Sequence, residues 1–437
     1  MCRWFAYISP TEPCLLSDVL ISPANSISKQ CSEHYLPQLL PHNEEKDLDD
    51  APDELMRMRN SLLNMDGLGI AWYTGATSSY LKHIDGPRPA LYKSQSPPIN
   101  DFNFKSLCHN TESKCIFAHI RATSGSVVTQ VNSHPFVFGR HVFMHNGVIS
   151  NFSNIRRDMT DELSFDAYCN ILGSTDSEHA AALYMTNLTD GGDKASWEKA
   201  YPLKKMLEAM QKTVIRILEL QHAKLGDANT PNSLNFCTTD GSRLLAIRFR
   251  NHATQQPPSL YWSEFAGRTL NTKFPGDPDG KGVENTEATM EAERMGKHTI
   301  IASEPTTYDE KEWHLINANC ALMVGEDGVE HEVKIEYDQK LNAKDPKFDI
   351  YTPHRGLEWE GGSRNSMPPL YAIHDQLGTL MLRLREEFDW GQVFGVAFFF
   401  AVFPEDAAME EAAFGVVAVV EDSVAAFCPE GALYALF

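Results

Sequence analysis

The chain opens MCRWFAYISP, so removal of one methionine would make Cys2 the first residue. A main-chain α-amine has a pKa of about 7.7–8.0, against about 10.4 for lysine, and much of it is therefore neutral and basic at cellular pH. A thiol on the same residue then has a general base of its own. Attack by such a nucleophile on an amide builds negative charge on the carbonyl oxygen, which needs two pre-aimed donors. Asn146 and Gly147 in MHNGVI offer a side-chain N–H and a backbone N–H, and glycine lets the backbone approach closely. A substrate built like an amino acid would also present an α-carboxylate and an α-ammonium. Arg121 in HIRATSG is the natural fork for the first, and Asp176 in STDSE the natural partner for the second.

Each of these residues has an ordinary use as well. Cys2 is a small residue near a terminus, an arginine at a strand end is commonly solvated or ion-paired, and Asn-Gly is a common turn signal. Asp176 would be favourable at a helix N-terminus in any protein. The four together, in this order, favour the chemical reading. A Cys–His mechanism would draw on His134 in NSHPF or His145 beside Asn146, but no second thiol recommends itself. Cys115 and Cys320 begin apolar runs and read as core, and the two histidines as hydrogen-bonded structural residues. No HExxH pattern or His/Cys cluster has metal-ligand spacing, so neither metal nor cofactor is expected.

These residues need strands to hold them. CRWFAYI suits a strand at the start of the protein. DGLGIAWY places Gly67 and Gly69 beside another, and CIFAHIRATSG (115–125) and GRHVFMHNGVIS (139–150) read as buried strands ending in polar turns. STDSEHAAALYM predicts a helix capped by Ser174 or Thr175. An amphipathic helix is expected over 196–222, with Met206, Leu207, Met210, Val214, Ile217 and Leu218 on one stripe. Residues 233–249 read as a hairpin turning at Asp240-Gly241, and further strands are expected at 258–265, 298–305 and 320–337. Segments 41–55 and 272–297 read as a surface loop and a mobile loop. Past about residue 340 the pattern decays into a biased tail, whose plain expectation is a packed helix. The strands do not alternate regularly with helices, which predicts an α+β fold of stacked antiparallel sheets with helices outside.

With 42% hydrophobic residues in 437, a full core is affordable, in one large domain or two. The net charge of −21 opposes binding to nucleic acid or anionic membrane, and the apolar run at 393–403 falls short of the roughly 20 residues a membrane helix needs. Nine cysteines without a CxxC pair or regular framework suit a reducing compartment. No signal-peptide pattern stands at the N-terminus, so a cytoplasmic protein is expected.

Cys2 with its aromatic strand, DGLGIAWY, HIRATSG, NSHPF, MHNGVI and STDSE together resemble the glutaminase domain of class II glutamine amidotransferases. The resemblance covers about residues 2–340 and leaves 341–437 as a C-terminal extension of unknown role. It implies a four-layer αββα N-terminal-nucleophile hydrolase fold, with Cys2 as nucleophile, Asn146 and Gly147 as the oxyanion hole, and Arg121 and Asp176 binding the substrate. Many members carry one more residue between this arginine and the next glycine, so Thr123 or Ser124 would be the matching substrate-contacting hydroxyl, with Thr123 preferred. AHIRATSGSVVTQVNSHPF and IIASEPTTYDEKEW resemble most the amidotransferase family of the DUG pathway of glutathione degradation. That implies cleavage of glutathione to glutamate and cysteinylglycine, beside a metallopeptidase-like partner subunit. The alternatives are a glutaminase feeding ammonia to a separate synthase, a γ-glutamyl conjugate hydrolase as in ergothioneine biosynthesis, and a non-catalytic scaffold.

Overall fold

The computed structural model describes residues 2–31, 66–122, 126–276, 285–307 and 310–343, and four short strands between 398 and 436. In chain order the strands are β1 (Arg3–Ile8), β2 (Cys14–Leu15), β3 (Leu68–Thr74), β4 (Arg88–Ser94), β5 (Glu112–Ser113), β6 (Cys115–Ile120), β7 (Phe136–Phe138) and β8 (His141–Val148). They continue with β9 (Ser233–Thr239), β10 (Leu244–Arg248), β11 (Tyr261–Ser263), β12 (Thr299–Ala302), β13 (His314–Leu315), β14 (Cys320–Gly325) and β15 (Gly328–Lys334). Two large antiparallel sheets result. One has the order β13-β11-β12-β1-β6-β3-β4 and the other β15-β14-β10-β9-β8-β7, while β2 and β5 form a separate ribbon.

Side chains alternate across a strand, and here each face has its own core. In β1, Phe5 and Tyr7 pack outward against α1 (Leu16–Leu20), α2 (Phe102–His109) and α5 (Ala266–Leu270). Trp4, Ala6 and Ile8 point the other way, into a core shared with Val142 and Met144 of β8, Cys237 of β9 and Leu244 of β10. The outer face of the second sheet, with Phe143, Phe236 and Leu245, is covered by α3 (Asp176–Leu188) and α4 (Leu203–Leu225). Three cores therefore separate four layers, helices–sheet–sheet–helices, in an α+β fold.

Several expected elements shift. The helix expected over 196–222 is α4, which begins at Leu203 after Pro202 and runs on to Leu225; Lys194–Glu198 form a separate 3₁₀ turn. Thr175, one of the two proposed caps, caps α3 by accepting the N–H of Glu178 at 3.2 Å. The 233–249 hairpin forms as β9 and β10. Cys115 is core, but Cys320 is only partly buried. The 41–55 loop lies outside the described residues.

The chain divides into two compact units, Met1–Asp349 and Ile350–Phe437. Within the second, β16 (Phe398–Val402), β17 (Ala413–Val420), β18 (Ser423–Phe427) and β19 (Leu433–Leu436) pair in sequence as an antiparallel meander. Where a helix was expected, the described residues of the tail are strands, in keeping with their valine- and phenylalanine-rich composition.

Candidate active site

The alternation that builds the inter-sheet core also assembles the site. Even positions of β1 and β8 and odd positions of β6 line that core, as Trp4, Val142 and Phe117 do. Continuing each series to the strand end gives Cys2, Asn146 and Arg121. Arg3 pairs with Ile120, so Cys2 falls beside Arg121 one step further on. The Cys2 thiol accepts the backbone N–H of Ala122 at 3.2 Å and lies 3.3 Å from the Ala122 carbonyl oxygen. Burial pushes this thiol up from its ordinary pKa; the Ala122 contact and the Arg121 charge act against the rise, and Asp176 adds to it. At neutral pH it is a thiol that needs a base.

Arg121 is 3% exposed, and burial lowers its pKa while Cys2, Asp66 and Asp176 oppose the loss of charge. Its backbone is held by the DGLG turn: its N–H donates to Gly67 at 2.8 Å and its carbonyl accepts from Asp66 at 3.2 Å. The guanidinium donates to the Val127 carbonyl at 3.0 Å and to the Ser126 hydroxyl. Asn132 donates to the same Val127 carbonyl at 2.9 Å and accepts the Ser174 N–H at 2.9 Å, so it ties the arginine loop to the turn before α3.

Asn146 pairs with Asn235 across β8 and β9 and is almost fully buried. Its Nδ2 donates to Ser303 Oγ at 3.2 Å, and Ser303 Oγ also accepts the Trp4 N–H at 3.0 Å. Asn146 Oδ1 is buried with no hydrogen-bond partner among the described residues. Gly147 has φ of +144°, and a Cβ there would stand 1.9 Å from the Ser233 carbonyl oxygen, so only glycine fits.

Asp176, the first residue of α3, is anchored to the chain just beyond β8. Its Oδ2 accepts the Ile149 N–H at 2.8 Å, and its Oδ1 accepts the Ser177 N–H at 2.8 Å. Thr123 and Ser124 lie outside the described residues. The structure thus gathers Cys2, Arg121, Asn146, Gly147 and Asp176 at neighbouring strand and helix ends.

His145 is hydrogen-bonded as expected, but His134 is not: both of its ring nitrogens are buried with no hydrogen-bond partner among the described residues. Nε2 of His145 meets the Ser233 carbonyl at 2.9 Å, and its Nδ1 meets the Ser177 hydroxyl at 2.8 Å. Neither ring nitrogen is left to deprotonate Cys2. His119 bonds the His145 carbonyl at 3.1 Å and packs against His134, with ring centroids 4.0 Å apart and the planes tilted by 43°. Burial lowers all three, His119 to about 3, so they are neutral. Ser303 and Asn132 were not singled out from sequence. Ser303 directly follows β12, so a polar residue at a strand end was the available signal there, whereas Asn132 closes a 3₁₀ turn (Gln130–Asn132) and carries no such signal.

Among the described residues, no His/Cys/Asp/Glu group is placed to hold a metal ion, and no helix is long and apolar enough to cross a membrane.

Residues 55–258 match the family of class II glutamine amidotransferases, a span that includes Arg121, Asn146, Gly147 and Asp176 and begins after Cys2. The chain is 29% identical over 385 residues to the "Probable glutamine amidotransferase DUG3" of Saccharomyces cerevisiae, covering 87% of this chain and 96% of that one. It is 31% identical over 94 residues to a gamma-glutamyl-hercynylcysteine sulfoxide hydrolase of Mycobacterium tuberculosis, covering 21% of this chain and 36% of that one. A solved class-II glutamine aminotransferase domain protein from Silicibacter pomeroyi superposes with a TM-score of 0.46 at 20% identity, covering 76% of this chain and 99% of that one. The matched span, residues 55–258, is a class II glutamine amidotransferase domain, and the similarities support hydrolase activity on γ-glutamyl amide bonds.

Proposed function

We propose that the enzyme uses Cys2, once Met1 is removed, as an N-terminal nucleophile that cleaves glutathione to glutamate and cysteinylglycine. One observation carries this reading: the ends of β1 and β6 meet at the Cys2 thiol, and β8 is tied to the same end of β1. Cys2 lies against Ala122, Arg121 adjoins it, and Asn146 is linked to Trp4 through Ser303. The α-amine of Cys2 takes the thiol proton, and the sulfur attacks the γ-carbonyl carbon. The carbonyl oxygen becomes an oxyanion that accepts hydrogen bonds from the Asn146 side chain and the Gly147 backbone. The C–N bond breaks, the proton passes to the departing amine, and a γ-glutamyl thioester remains. Water then hydrolyses it, returning the thiol and releasing glutamate.

Arg121 receives the α-carboxylate and Asp176 the α-ammonium, with the Thr123 hydroxyl contacting the same end of the substrate. These groups read the γ-glutamyl half, which glutamine and glutathione share. Glutathione as donor is supported by the resemblance to the DUG-pathway family and by similarity to a hydrolase whose name specifies a γ-glutamyl cysteine conjugate. On this reading residues 2–340 form the catalytic domain, residues 341–437 are an extension, and a metallopeptidase-like partner in the cytoplasm consumes the dipeptide.

The test is product analysis with glutathione and glutamine offered separately to the protein, alone and as purified from its native cell with any partner. Glutamate and cysteinylglycine should form faster than ammonia from glutamine. Ammonia from glutamine with no cleavage of glutathione in either preparation would contradict the proposal.

A further inference from the structure

We propose that Ser303 is a positioning residue that sets the oxyanion donor against the nucleophile; this rests on the reading of Asn146 given above. The two halves of the site stand on different sheets. Cys2 leads into β1 of the first, and Asn146 belongs to β8 of the second. A hydroxyl has two acceptor positions, and Ser303 Oγ accepts from both sides: the Trp4 N–H at 3.0 Å, two residues from Cys2, and Asn146 Nδ2 at 3.2 Å. Ser303 also donates its own backbone N–H to the Trp4 carbonyl at 2.9 Å, so its position follows β1 closely. At 1% exposure, the hydroxyl is shielded from water that would compete for these bonds.

The Asn146 side chain has no other anchor among the described residues, since its Oδ1 lacks a partner. A carboxamide nitrogen carries two hydrogens, and Ser303 takes one of them. The second then points in a direction that Ser303 fixes. Without that bond the carboxamide can turn over, because its terminal torsion is broad and two-fold. It would then present a carbonyl oxygen to the developing negative charge. Trp4 Nε1 separately donates to the Asn235 carbonyl at 3.2 Å, so the sheets keep a second bridge when the hydroxyl is lost.

The experiment compares Ser303→Thr with Ser303→Val, which match in shape and differ in the hydroxyl. Turnover, KM and melting temperature are measured on the processed full chain with a γ-glutamyl anilide. Losing one hydrogen bond of ordinary worth should lower kcat roughly tenfold in Ser303→Val, with KM little changed, while Ser303→Thr keeps most of its turnover. Asn146→Ala should lose about 10²–10³ in kcat, and the double variant should be no worse than Asn146→Ala alone. Full kcat in Ser303→Val beside an impaired Asn146→Ala would overturn the role of Ser303 by itself, as would equal losses in the Thr and Val variants. A double variant showing the product of the two losses would also overturn it. Full kcat in Asn146→Ala would remove the oxyanion assignment and the proposal with it.

Discussion

Cys2 as folded is a poor nucleophile by itself, because burial raises its thiol pKa and both nitrogens of His145 are already bonded. A base carried on the same residue answers that need without any further side chain. Arg121 has a different task, and its chemistry makes a sharp test. Arg121→Lys keeps the charge and loses the fork that grips a carboxylate with two bonds. The loss in kcat/KM should be about 10–100-fold for substrates with a free α-carboxylate, the worth of a charged hydrogen bond. It should be much smaller for α-esters of the same substrates. Parallel kinetics on acid and ester would reveal the difference, and equal losses would take Arg121 out of carboxylate binding.

At the scale of elements, what could be read from sequence was what is local. The period-two pattern of CRWFAYI and the polar ends of HIRATSG and MHNGVI marked three strands and the side chains at their tips. The same parity carries Cys2, Arg121 and Asn146 to the ends of neighbouring strands. The helix start at Asp176 was readable because a cap and its first turn are neighbours in sequence. Ser303 was not readable in this way, since its partner Trp4 stands 299 residues away. The strand order, with β1 between β6 and β12, is likewise a matter of distant pairing. The shifted start of α4 has a local cause that periodicity overlooks: Pro202 occupies the N-cap, and apolar spacing on either side of it does not register the break.

At the scale of the whole molecule, four layers bury His119, His134 and His145 in neutral form, and this ties stability to pH. The His119 pKa is lowered by burial to about 3, against about 6.5 in an unfolded chain. Below pH 6.5 the unfolded chain therefore binds a proton that the native state refuses, and stability falls as pH falls. The slope from His119 is about 1.4 kcal/mol per pH unit down to about pH 3, where the native state is protonated too. His134 and His145 are shifted in the same direction and steepen the loss. Denaturant titrations between pH 7 and 4 should show this decline, and His119→Asn should flatten it by about one proton's worth whatever its stability at pH 7. An unchanged slope in that variant would mean His119 titrates normally in the fold.

The central claim is that the α-amine of Cys2 is the catalytic base, and extending the chain tests it most directly. A protein processed to begin at Cys2, verified by intact mass, is compared with one bearing a single uncleavable residue ahead of Cys2. That residue converts the amine into a non-basic amide and leaves the thiol in place. With melting temperatures matched, turnover of a γ-glutamyl anilide should fall by about 10²–10⁴ in the extended chain, the range that general base catalysis supplies. Equal turnover in the two proteins would contradict the account.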